Sequence, residues 1–156
     1  MPIPNLNWDL TDTERSIKDT VHRFAAEVLR PAGITLDKLS PDDVIAKDSI
    51  FWDVHKQYLD LGIGAARTGL NRVESARLQF LISEELGWGD SGIAIAFGAG
   101  GFPSNLAAQS GRQDLMERFP ATKLGCWAIT EPDHGSDMID VDFRTAGVPE
   151  SYSRPN

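Results

Sequence analysis

The chain is short of cysteine, of histidine and of basic residues, and each shortage closes a class of function. Cys126 is the only cysteine, so no disulfide can form within the chain and a cysteine-built metal cluster is excluded. The histidines, His22, His55 and His134, stand at no metal-ligand spacing from one another, and no metal site is expected. Lys and Arg number 15 against 23 Asp and Glu, a formal charge of −8. That balance excludes a nucleic-acid partner, because a phosphate backbone needs a Lys/Arg surface. No apolar run approaches the ~20 residues that span a bilayer. The richest, Ile93 to Phe102, is short and broken by glycines, so no membrane partner is expected. Met1 to Leu10 has neither a basic n-region nor an apolar core, and no Arg-rich transit character. With the lone thiol this fits a cytoplasmic protein.

What is present is the composition of a globular domain, 41% hydrophobic and 24% charged. Thr11 and Glu14 form a capping-box pair ahead of Ile17, Val21, Phe24, Ala25, Val28 and Leu29. That spacing predicts a helix with one apolar face from about Leu10, stopped at Arg30-Pro31. A polar stretch from Ala32 to Lys47 follows, with Ser40-Pro41-Asp42-Asp43 as a helix start. A second long helix is expected over Ile50 to Leu61, broken by Gly62 and Gly64. A third opens at Asn71 with Glu74 at the capping offset, runs to Leu86 and closes at Gly87. Ser91 to Ala108 is apolar on all sides and should be buried among other helices. A short helix spans Arg112 to Arg118.

Two tempting features have plainer readings. Asp42-Asp43 and Glu84-Glu85 are adjacent helical residues that do not face one point, so helix-end charge explains them. Gly98-Ala99-Gly100-Gly101 has neither the lysine of a phosphate loop nor dinucleotide spacing. His22 and His55 read as surface or packing residues, His134 as a solvated turn residue, and Trp8, Trp52 and Trp88 as core or domain-contact residues.

At about Lys123 the pattern changes. Leu124 to Thr130 reads as a buried strand and Val141 to Thr145 as a half-exposed one. Two strands make no stable sheet alone in water. The expected division is therefore an all-α domain over 1–122 and, over 123–156, the incomplete start of a β-domain.

The most informative string is Cys126-Trp127-Ala128-Ile129-Thr130-Glu131-Pro132-Asp133-His134-Gly135-Ser136-Asp137. A strand ends in threonine, proline stops the ladder, and Gly-Ser-Asp makes a tight polar turn exposing N–H groups and a hydroxyl. These parts suit a flat aromatic cofactor with polar edges, although the same turn residues are also ordinary surface architecture. Trp127 to Asp137 resembles the Trp-Ala-Ile-Thr-Glu-Pro-x-x-Gly-Ser-Asp signature of acyl-CoA dehydrogenases. The upstream order, Ser83-Glu84-Glu85-Leu86-Gly87, a small-residue helix and then Gly111 to Phe119, is similar to that family too. The resemblance covers roughly Leu10 to Asp137.

The resemblance implies a mainly α fold: an N-terminal helical bundle domain of acyl-CoA dehydrogenase type, followed by the first strands of an incomplete β-barrel-like domain. It implies FAD as cofactor. Trp127, Ala128, Ile129 and Thr130 would lie along the flavin ring, with Gly135 and Ser136 in the turn beside it. Ser136 would also touch the CoA portion of an acyl-CoA substrate, and Ile93 to Phe102 would help wall the acyl cavity. The reaction implied is α,β-dehydrogenation of the thioester, with electrons passing through FAD to an electron-transfer flavoprotein. The full-length protein would be a homo-oligomer, dimer or tetramer. In that family the carboxylate base lies in a later helical domain, so no residue here is assigned as catalytic and a truncated chain would be inactive alone. After Asp137 the likeness to the family loosens. The same fold also serves acyl-CoA oxidases, nitroalkane oxidases, flavin hydroxylases and desulfinases. A non-enzymatic helical interaction module is the remaining alternative.

Overall fold

A computed structural model describes residues 10–67 and 69–126, and among these the regular elements are all helical. The described residues up to Gly125 belong to one compact unit. Helix α1, Asp12–Phe24, starts on the expected box: the Thr11 N–H and hydroxyl donate to the Glu14 carboxylate at 2.8 and 2.9 Å, and the Glu14 N–H donates back to Thr11 Oγ1 at 3.2 Å. Each side chain thereby satisfies an N–H that the first helical turn leaves without a partner.

The chain does not stop at Arg30-Pro31. It widens into a π-helical turn, Ala25–Leu29, and continues as α2, Arg30–Leu36. Pro31 has no N–H to donate, and its ring would press on the carbonyl four residues back. The π turn relieves this, with the Arg30 N–H reaching back five residues to the Ala25 carbonyl. The stretch expected to be polar from Ala32 is consequently helical at first, and Ala32, Gly33 and Leu36 are buried.

A single turn, α3, Pro41–Val44, is capped by Ser40. Helix α4, Ile50–Asp60, is capped by Ser49 and ends at Gly62, whose φ of 65° suits a residue without a side chain. Another single turn, α5, covers Ile63–Ala66. Helix α6, Arg72–Gly89, begins on the Asn71–Glu74 box and runs two residues past Gly87, where closure was expected. It ends at Asp90, whose carboxylate accepts the Ile93 N–H at 2.8 Å and so caps the next helix, α7, Ser91–Gly100.

The segment expected as one buried stretch is two helices, α7 and α8, Phe102–Ser110. Only one side of α7 is buried, at Ile93, Phe97 and Gly100; Ile95 is 71% exposed, and Leu106 on α8 is 62% exposed. Gly111, with φ 67°, closes α8 ahead of α9, Gln113–Arg118. Leu124, Gly125 and Cys126, expected to open a strand, carry no strand. Leu124 packs on Gly100, and the Gly125 N–H donates to the Gly100 carbonyl at 2.9 Å. The remainder of that expected strand and the Val141–Thr145 strand lie outside the described residues.

The core joins Val21, Phe24 and Leu29 from the first helical stretch to Leu78, Ile82 and Leu86 of α6, and to Phe51 and Phe97. Leu29, Ile82 and Val21 are fully buried, each removal from water contributing roughly 1.5–3 kcal/mol. Helices α1 and α6 run side by side in the same direction. Glu14 meets Arg77 at 2.8 Å near their starts, and Lys18 and His22 meet Glu85 farther along.

Candidate functional site

Helices α4, α6 and α7, the α5 turn, the start of α8 and residues Ala121, Lys123 and Leu124 line a half-open cavity of about 370 Å³. Its aromatic wall is Tyr58 stacked on Phe97, with centroids 4.7 Å apart and planes at 23°, and His55 beside Phe97 at 5.3 Å. Gly98, Gly100 and Gly101 leave room on the α7 side, and Leu59 and Ile63 add apolar surface. A neighbouring cavity of about 260 Å³ shares Tyr58, Gln79 and Gly98 and reaches Ser83, Ala94 and Ile95. The Ile93–Phe102 segment thus contributes to the walls of both.

Burial pushes the His55 imidazole below its ordinary pKa, so the neutral ring is favoured. Burial pushes the Tyr58 hydroxyl up, partly offset by the Arg67 charge. Among the described residues no Asp or Glu lines the larger cavity, so these walls offer no carboxylate base. The Arg67 guanidinium is oriented by Ser75 Oγ, at 3.1 Å from both Nε and Nη2, and by Gln79 Oε1, at 2.7 Å from Nη1.

A second polar cluster was missed in the sequence. Glu85 is buried, with Lys18 Nζ at 3.2 Å and His22 Nδ1 at 2.6 Å. His22 lies against Trp88, with ring centroids 4.6 Å apart, and the Arg30 guanidinium sits over the Trp88 ring, 4.5 Å from its centroid. Glu85 is therefore an interhelical partner rather than a helix-end charge. Its spacing could have revealed it: Leu78, Leu81, Ile82 and Leu86 are buried at helical period, and Glu85 falls on the same stripe.

The residues expected to hold a cofactor or substrate, Trp127, Ala128, Ile129, Thr130, Gly135 and Ser136, lie outside the described residues, as do His134 and Trp8. Cys126 is a free, exposed thiol. Among the described residues no group of three or more His, Cys, Asp or Glu is placed to hold a metal ion. No helix among them is long and apolar enough to cross a membrane.

Two curated proteins are similar to the chain. One is the isovaleryl-CoA dehydrogenase, mitochondrial, of Oryza sativa subsp. japonica, 24% identical over 153 residues, covering 90% of this chain and 35% of that protein. The other is the 2-methylacyl-CoA dehydrogenase, mitochondrial, of Solanum tuberosum, 23% identical over 151 residues, covering 92% and 35%. The chain thus spans about a third of the length of these relatives. No family model matches it, and no solved structure matches it significantly.

Proposed function

We propose that the chain is the leading part of a flavin-dependent acyl-CoA dehydrogenase: the helical domain, 1–122, and the opening of a β-domain, 123–156. The observation that carries this reading is the Trp127–Asp137 string, standing in a chain nine-tenths of which aligns with two proteins named as acyl-CoA dehydrogenases. The mainly helical structure agrees with a leading helical domain.

In this reading FAD supplies the hydride acceptor. Trp127 to Thr130 would cover its ring, with the Thr130 hydroxyl on the polar edge, and Gly135 and Ser136 would lie beside it. Ser136 also contacts the CoA portion, and the cavity beside Phe97 receives acyl carbons. No residue of this chain is assigned as the proton-abstracting carboxylate, and electrons leave to an electron-transfer flavoprotein from a homo-oligomeric enzyme. A cytoplasmic location belongs to the same reading; both relatives carry the word mitochondrial in their names, and cell fractionation distinguishes the two.

The test is made on the complete gene product. Purified protein should carry flavin absorbance that acyl-CoA bleaches, and Thr130→Val should weaken flavin retention. Colourless protein that takes up no added FAD would sink the reading and favour a helical interaction module.

A further inference from the structure

We propose that the cavity beside Tyr58 and Phe97 contains an anion subsite, in which Arg67 and Lys123 hold a carboxylate or phosphate carried by an otherwise apolar ligand. The whole chain is acidic, yet among the described residues the charged side chains lining this cavity are Arg67 and Lys123, with no Asp or Glu. The charges on these described walls are thereby opposite in sign to the protein's net charge, which favours a negatively charged guest.

The guanidinium of Arg67 is held in place without being neutralised. Ser75 and Gln79 take three of its five N–H donors, and neither carries charge. Among the described residues no carboxylate pairs with Arg67 or Lys123; the Lys123 ammonium donates to the Arg118 carbonyl at 3.3 Å. The Arg67 charge acts on the Tyr58 hydroxyl, and both residues line the cavity. Asn105, also on the cavity wall, brings a side-chain amide as a further neutral donor. Two cations and an amide share these walls with Tyr58 stacked on Phe97, a combination that suits a ligand with both an apolar part and an anionic group. The volume of about 370 Å³ falls in the range of about 300–1,000 Å³ usual for small-molecule sites.

Resting on the acyl-CoA reading, the assignment narrows the substrate class to an acyl group ending in a carboxylate; the other source of the same chemistry is a phosphate of CoA itself. The test titrates the ¹⁵N-labelled 156-residue chain with adipyl-CoA, hexanoyl-CoA, CoA and free adipate, following amides near Gln79, Gly98 and Asn105. Adipyl-CoA should bind about tenfold tighter than hexanoyl-CoA, the contribution of one charge-assisted hydrogen bond. Arg67→Gln should erase that difference, and Lys123→Gln should reduce it. CoA alone binding as tightly as adipyl-CoA, with the same Arg67 dependence, would support the subsite and assign it to phosphate. Equal binding of adipyl-CoA and hexanoyl-CoA, indifferent to both substitutions, would overturn the subsite and leave the acyl-CoA reading standing. Arg67-dependent binding of free adipate with no thioester bound would keep the subsite and remove that reading.

Discussion

Glu85 and His22 join the end of α6 to the end of α1: Oε2 lies 2.6 Å from Nδ1, with the carboxylate buried and the imidazole half-exposed. Lys18 meets the other carboxylate oxygen at 3.2 Å. A carboxylate in this position interrupts an otherwise apolar stripe, and it is tolerated because both its oxygens have partners.

Glu85→Ala should therefore cost about 1–3 kcal/mol in urea unfolding, the range for removing a buried hydrogen-bonding partner. It should fall short of the larger loss seen when a fully buried ion pair is broken, because the His22 side chain is 49% exposed and can be rehydrated. Glu84→Ala, one residue earlier and exposed, should change stability by no more than about 0.5 kcal/mol. Equal losses at the two positions would show that the pairing contributes nothing beyond helix-end charge.

Two glycines of α6 should respond oppositely to alanine. A Cβ on Gly89 would stand 2.8 Å from the Ala25 Cβ and 3.0 Å from the Ala25 Cα. The π turn would have to shift, and a loss of about 1–3 kcal/mol is expected. Around Gly87 a Cβ meets nothing within 4 Å, and the site is helical. Gly87→Ala should stabilise by about 0.4–1 kcal/mol through the lost freedom of the unfolded chain. Thermal unfolding of the two variants reads both signs.

These contrasts also mark what could be read in the sequence. The capping boxes at Thr11–Glu14 and Asn71–Glu74 were legible because each is a local exchange between two side chains and two backbone groups. The helix through Pro31 was not, because the π turn that accommodates proline has no residue-type signal in Ala25–Leu29. Gly87 looked like a terminator by composition, yet α6 continues to Asp90, which caps α7 and packs against Gly33. That close approach is set by tertiary packing. For the candidate site, the family resemblance had already pointed to Ile93–Phe102 as cavity wall, and α7 does line it. Arg67 gave no such sign, since its place on the cavity wall depends on α5 and α6 meeting in space.

Loss of the α6 cap gives a local check. Asn71 Oδ1 accepts the Val73 and Glu74 N–H groups at 2.9 and 3.0 Å, and the Asn71 N–H donates to Glu74 at 3.0 Å. Asn71→Ala should cost about 1 kcal/mol, and Asn71→Asp or Asn71→Ser should restore most of it. Amide exchange in the first turn of α6 should accelerate in the alanine variant alone.

His55 provides the pH dependence. Its ring is buried against Phe97, and burial lowers its native pKa relative to the unfolded chain. Between that lowered value and the ordinary value of about 6.5, the unfolded chain binds more protons than the native one. Stability therefore rises with pH across this window, is fully present above it, and is lost on acidification toward the native pKa. His55→Phe keeps an aromatic ring beside Phe97 and removes the titration. Its unfolding free energy should vary less than that of the parent between about pH 5 and 7, above the main carboxylate range. The His55 ring resonance, followed by NMR in the parent, should titrate below the ordinary imidazole value. A midpoint at that value would abolish the dependence and one above it would reverse the sign; either would show that desolvation does not govern this ring.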